Sequence, residues 1–165
     1  MKKIVLAGGC FWGVEEYYRR LKGVETTRVG YAQGIIVNPS YEDVCSGETN
    51  HAEVVEIGYD EQVISLELLI NHLFRICDPC SLNRQGHDVG TQYRVGIYSS
   101  NQTELDTIKK LILAKQALYT NPIVLEVEIL RDFYDAESYH QKYLVKNPGG
   151  YCHVNMNLIK AEEKK

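Results

Sequence analysis

The sequence has no long apolar run, no basic stretch, no internal repeat and no low-complexity tract, and each absence removes a class of answer. The apolar segment behind Lys2-Lys3 runs only from Ile4 to Ala7 before Gly8, too short for a secretory signal core or a membrane span. The chain is therefore expected to be cytoplasmic, with no membrane partner. Its formal charge is -4, from 18 Lys and Arg against 22 Asp and Glu, and no cations cluster, so nucleic acid is not an expected partner. Proline is scarce, at four residues, and no linker-like stretch divides the 165 residues. One domain over residues 1–165 is expected, long enough to bury a core, and nothing demands more than a monomer. The five cysteines (Cys10, Cys45, Cys77, Cys80 and Cys152) are too few and odd in number for a disulfide framework. In a reducing compartment such residues are more often catalytic or metal-binding. There are three phenylalanines against twelve tyrosines, and many of those tyrosines read as half-buried packing residues with wet hydroxyls.

Apolar patterning predicts strands over residues 3–7, 25–33, 52–59, 93–98 and 123–130. A helix is predicted over residues 14–21. Another follows Ser65, where Leu66, Leu69, Ile70, Leu73, Phe74 and Cys77 recur at helical spacing until Pro79. Asn101 and Glu104 resemble a capping box for a helix to about Leu118, and a short helix is expected over residues 136–145. The tail from about Tyr151 shows no periodicity and is expected to be irregular, with residues 161–165 frayed. Strands and helices interleave, but the parallel βαβ pattern is imperfect. This predicts a two-layer α+β domain, with helices packed on one face of a mixed β-sheet. Residues 34–51 and 79–90 carry little periodicity, and loops of that length in a compact domain are usually functional.

The segment Gly8-Gly9-Cys10-Phe11-Trp12-Gly13 places Cys10 at a strand-to-helix turn. Backbone N–H groups at a helix N-terminus stabilise negative charge, so this position is expected to lower the thiol pKa and populate the nucleophilic thiolate. The ordinary alternative is a small buried apolar residue, which the turn position and flanking glycines disfavour. Trp12, the only tryptophan, sits where an indole can wall a small apolar pocket.

Four further segments stand out: Asn38-Pro39-Ser40-Tyr41, Gly47-Glu48-Thr49-Asn50-His51-Ala52-Glu53, Gly86-His87-Asp88-Val89-Gly90-Thr91-Gln92-Tyr93-Arg94, and Gly149-Gly150-Tyr151-Cys152. Together with the Gly-Cys-Phe-Trp-Gly motif, and in this order, they resemble the type A peptide methionine sulfoxide reductases from about residue 4 to about 153. The resemblance implies a repair enzyme that reduces the S epimer of methionine sulfoxide, free or in proteins. That chemistry needs a thiolate attacking sulfur while the oxygen is protonated, to leave as water. Cys10 is then the nucleophile.

Glu53 matches the family's proton donor, a carboxyl group kept protonated by burial; its residue type alone favours an exposed surface carboxylate. Tyr41 and Tyr93 match the tyrosines whose hydroxyls bind the sulfoxide oxygen without carrying charge. Asp88 matches a substrate-positioning carboxylate, its alternative being a turn residue. Phe11 and Trp12 would form the apolar wall for the substrate methyl, with core packing as the alternative. Cys152 matches the resolving cysteine, which condenses with a Cys10 sulfenic acid to a Cys10–Cys152 disulfide. Thioredoxin or another external dithiol would then reduce that bond, with no bound cofactor. No cysteine follows Cys152, so a relay through a further tail cysteine, as in some relatives, is not expected.

Relatives usually read His-Asp-Pro-Thr where this chain has Cys77-Asp78-Pro79-Cys80. The resulting CxxC has three readings: inert thiols, an auxiliary redox pair, or half of a zinc site with His72 or His87. It closes the predicted helix rather than opening one, and a helix C-terminus disfavours a thiolate. A general thiol–disulfide oxidoreductase using Cys77 and Cys80 is the alternative function, and a non-catalytic zinc-binding module a third. Cys45 is read as a spare thiol, and His51 and His140 as makers of local hydrogen bonds.

Overall fold

The computed structural model describes all 165 residues. In chain order its elements are β1 (Lys2–Gly8), α1 (Phe11–Arg19), β2 (Val24–Ala32), α2 (Tyr41–Cys45), β3 (Ala52–Tyr59) and α3 (Leu66–Ile76). A small hairpin, β4 (Arg84–Gln85) with β5 (Asp88–Val89), comes next. It is followed by β6 (Val95–Ser99), α4 (Gln102–Lys115), β7 (Glu126–Ile129), β8 (Tyr134–Asp135) and α5 (Tyr143–Lys146). The main sheet has the order β7-β6-β1-β3-β2-β8. Its neighbours are antiparallel except for the parallel pair β6–β7, so the sheet is mixed.

Alternation along β1 divides the molecule. Ile4 and Leu6 face the larger core, shared with Phe11, Val14 and Tyr18 of α1, Leu69, Ile70 and Leu73 of α3, and Leu105 and Ile108 of α4. Val5 and Ala7 face the other side, with Ala32, Ala52, Val54 and Tyr98, where Leu130 and Phe133 cover them. The helices therefore share one face, as expected of a two-layer α+β fold. A Cβ on Gly30 would lie 2.5 Å from the Tyr134 carbonyl oxygen, so the bare backbone there admits β8 and Phe133.

Sequence and structure differ at several boundaries. The helix after Cys10 begins at Phe11, three residues before the expected start, because Cys10 itself occupies the N-cap position. Asn101 caps α4 by accepting from the Glu104 N–H, but the Glu104 carboxylate instead accepts from the Ser99 hydroxyl, so the box is one-sided. Tyr93 lies in a 3-10 turn (Thr91–Tyr93) ahead of β6. The helix expected over residues 136–145 is broken into a 3-10 turn (Ser138–His140) and α5. Lys142 sits between them in the left-handed region (φ 52°), and its N–H donates to Glu15 Oε1 at 2.7 Å.

The chain end is docked rather than frayed. Arg75 grips both Glu163 carboxylate oxygens at 2.8 and 2.9 Å, and Lys22 N–H donates to the Glu163 carbonyl at 2.8 Å. Many tyrosines are also fully buried rather than wet. The hydroxyls of Tyr17, Tyr18, Tyr31 and Tyr98 meet His72, the Leu69 carbonyl, Glu137 and Glu126 at 2.6–2.9 Å. Unpaired, each buried hydroxyl would cost about 1–3 kcal/mol.

Candidate active site

Cys10 ends the turn between β1 and α1 and is only 7% exposed. Gly9 before it has φ +93°, and a Cβ there would meet both Gln85 and His153 at 3.0 Å, so the turn requires glycine on two counts. The thiol pKa moves opposite to the expectation from helix position. Burial pushes it well above its ordinary value, and the Glu53 charge adds to this. The Trp12 backbone N–H pulls it down by less than burial raises it. The resting thiol is protonated.

Glu53, on β3, is 1% exposed and is no surface carboxylate. Its Oε1 accepts the Phe11 N–H at 3.2 Å, whereas Oε2 is buried without a partner. Burial pushes its pKa up to about 8, against the lowering effect of the Phe11 bond and with a smaller upward push from Asp88. At neutral pH Glu53 therefore holds a proton. In this neutral form it also removes its own charge penalty on Cys10.

Tyr41 opens α2, which Ser40 and Asp43 close into a reciprocal cap; the Tyr41 N–H donates to Glu137 Oε2 at 3.0 Å. Burial raises the hydroxyl pKa of both Tyr41 and Tyr93, and the Glu53 charge raises both further, so both remain donors. Tyr93 also senses Cys10, Cys45 and Asp88, and Cys10 senses Glu53, Asp88 and Cys152. The fold thus gathers Cys10, Tyr41, Glu53, Asp88, Tyr93 and Cys152 from six separate segments of the chain. Trp12 is half-buried beside Cys10, stacked on Tyr143 at 3.8 Å, and its Nε1–H donates to His140 Nδ1 at 2.9 Å. Phe11, 1% exposed, packs its ring against Tyr31 and His140 in the core and presents its N–H to Glu53.

Cys152 lies exposed over the first turn of α1: a Cβ on Gly13 would sit 3.0 Å from its sulfur. Three residues to which sequence reasoning assigned no individual role, Tyr151 of the Gly-Gly-Tyr-Cys segment among them, hold this assembly. The Tyr151 hydroxyl donates to Asp88 Oδ2 at 2.9 Å, and His153 Nε2 meets the Gly8 carbonyl at 3.0 Å. Gln85 packs on Gly9 and bonds both the N–H and the carbonyl of Asp78, at 2.9 and 3.0 Å. No local pattern signals them, because each partner is distant in sequence or is a backbone group.

Cys77 and Cys80 are not in this cluster. Cys77 is the C-cap residue of α3, with its sulfur donating to the Leu73 carbonyl at 3.0 Å. Cys80 donates instead to the Asn121 carbonyl at 3.4 Å. All five cysteines are free. No set of three or more His, Cys, Asp or Glu side chains is placed to hold a metal ion. His72 is instead buried, with Nδ1 on the Tyr17 hydroxyl at 2.7 Å and Nε2 3.6 Å from Glu163. Cys45 lies exposed at the end of α2, beside Tyr41.

The family model described as peptide methionine sulfoxide reductase matches residues 2–165. A Clostridium botulinum (strain Okra / Type B1) protein named peptide methionine sulfoxide reductase MsrA is 60% identical over 157 residues, covering 95% of this chain and all of the relative. Among solved structures, reduced Mxr1 from Saccharomyces cerevisiae matches with a TM-score of 0.88 and 41% identity, over 93% of this chain and 91% of that one. Mxr1 in complex with Trx2 matches with a TM-score of 0.62 and 29% identity, over 86% and 84%. No helix here is long and apolar enough to cross a membrane. With a buried thiol, a protonated carboxyl and two phenols converging on one turn, the chain belongs to the peptide methionine sulfoxide reductase family.

Proposed function

We propose that residues 1–165 form a single catalytic domain that reduces the S epimer of methionine sulfoxide, free or in proteins, by a cycle using Cys10 and Cys152. The observation that carries this reading is Glu53: a buried carboxyl, protonated to about pH 8, with one oxygen unpartnered next to the Cys10 turn. Tyr41 and Tyr93 donate to the sulfoxide oxygen. Trp12 walls the methyl, with Phe11 behind it, and Asp88 orients the substrate. Glu53 gives its proton to the oxygen as Cys10 sulfur attacks the substrate sulfur, and takes up the proton that Cys10 loses. The oxygen moves to Cys10 as a sulfenic acid and methionine departs. Cys152 then attacks Cys10 sulfur, the S–O bond breaks, water leaves and a disulfide forms.

A thioredoxin-like dithiol reduces that disulfide, a reading supported by the relative caught with Trx2. No resident cofactor takes part. The protein works as a cytoplasmic monomer.

Mass spectrometry after one turnover without reductant tests the cycle. One methionine per enzyme and a Cys10–Cys152 bond are expected; unbridged Cys152 overturns the assignment of the resolving residue. The Cys77→Ser/Cys80→Ser double variant is expected to keep thioredoxin-dependent turnover within about twofold, as their separate carbonyl partners imply. A fall in recycling with a normal first turnover would instead make them a relay.

A further inference from the structure

The resolving thiol has no hydrogen bond to the nucleophile's turn. Cys152 sulfur donates only to the Val154 carbonyl, within its own segment, at 3.3 Å. Its two neighbours are anchored instead, Tyr151 on Asp88 and His153 on the turn itself. His153 Nε2 lies 3.0 Å from the Gly8 carbonyl oxygen. A carbonyl only accepts, so Nε2 carries the hydrogen. The ring also rests on Gly9, where a Cβ would meet Nε2 at 3.0 Å. Cys152 and His153 thus straddle the nucleophile: the thiol sits over Gly13 after Cys10, and the imidazole on Gly8-Gly9 before it.

The other ring nitrogen, Nδ1, is buried with no partner. That orphaned acceptor is a cost that a phenyl ring of similar shape would avoid. The useful atom is the Nε2–H donor, and burial keeps the ring neutral by pushing its pKa down.

We propose that His153 is a positioning residue for the resolving step, holding Cys152 in register over the Cys10 turn through its bond to the Gly8 carbonyl. The inference rests on the two-cysteine reading above. The step it serves is balanced: the Cys152 S–H attacks the Cys10 S–OH, S–S forms, S–O breaks, and the Cys152 proton leaves in water. Without that register the sulfenic acid lives longer and is open to a second oxidation to sulfinic acid by peroxide.

The test separates the two half-reactions by rapid quench in His153→Phe and His153→Gln. Glutamine places an N–H near the position of Nε2; phenylalanine fills the space without a donor. In His153→Phe, methionine release in the first turnover is expected near the wild-type rate. Cys10–Cys152 formation should slow by about tenfold or more, the size of a small misplacement of reacting groups, with sulfenic acid trapped by dimedone. His153→Gln should restore disulfide formation to within about threefold. A wild-type disulfide rate in His153→Phe overturns the proposal, as does an equal fall of both half-reactions in both variants. Cys152→Ser separates this failure from failure of the cycle itself: undiminished thioredoxin-dependent turnover in that variant removes Cys152 as resolver, and His153's role with it.

Discussion

Replacing Glu53 with glutamine is expected to make the protein more stable at alkaline pH and nearly inactive. The carboxyl is buried, its Oε2 has no partner, and its pKa rises from 4.5 to about 8. Between those values the folded chain holds a proton that the unfolded chain has released. The stabilising contribution is therefore complete below about pH 4.5 and is lost as pH rises towards and through about 8. At 1.4 kcal/mol per pH unit, the loss by pH 8 is on the order of 4 kcal/mol. Glutamine keeps the shape and never ionises, so the pH dependence should disappear from the difference between the two proteins. Denaturant unfolding at pH 5 and pH 8 measures it: the variant's advantage should grow by several kcal/mol between them, and a constant gap would refute a protonated Glu53. Activity moves the other way. Glutamine can donate a hydrogen bond but cannot deliver a proton, so first-turnover methionine formation should fall by about 10²–10⁴-fold. The wild-type rate should itself decline above about pH 8 as Glu53 ionises and its charge raises the Cys10 pKa further.

Cys10→Ser is expected to abolish turnover of the S epimer, by on the order of 10⁴-fold or more. A serine hydroxyl at the same N-cap is a far weaker nucleophile, and neither Glu53 nor the tyrosines can compensate because their work depends on attack at sulfur. Steady-state assay of methionine S-sulfoxide with thioredoxin or dithiothreitol measures this, and activity near wild type would remove Cys10 as nucleophile. The same burial that keeps the resting thiol protonated predicts an order of alkylation. Exposed Cys152 should label before Cys10 at neutral pH, with Cys10 reacting quickly only on the sulfoxide it is built to meet.

Local signals in the sequence carried much of the frame. The strand at residues 52–59 coincides with β3, because Val55, Ile57 and Tyr59 alternate towards the core. Ser65 caps α3 through the Leu68 N–H at 3.1 Å, as its apolar repeat implies. The strand-to-helix turn at Cys10 was legible because the glycines and the apolar run around it are adjacent in the chain. Where the outcome depended on a distant partner, the local pattern misled. The helix expected over residues 136–145 gives way because Glu15 takes the Lys142 N–H and the Gln141 side chain bonds the N–H and carbonyl of Val29.

The sequence by itself determined the family, the mixed α+β architecture and the order of the reactive segments, since these follow from short-range periodicity, caps and motifs. The tertiary structure decided the protonation states and the placement of the tail. Cys10 is raised rather than lowered because burial outweighs the helix terminus, and Glu53 stays protonated because β3 carries it into the interior, where burial outweighs the Phe11 N–H. The tail lies over the Cys10 turn, with the Tyr151 hydroxyl on Asp88 and His153 Nε2 on the Gly8 carbonyl. Desolvation and hydrogen bonds between residues far apart in the chain exist only once the chain is folded, and here they set the chemistry.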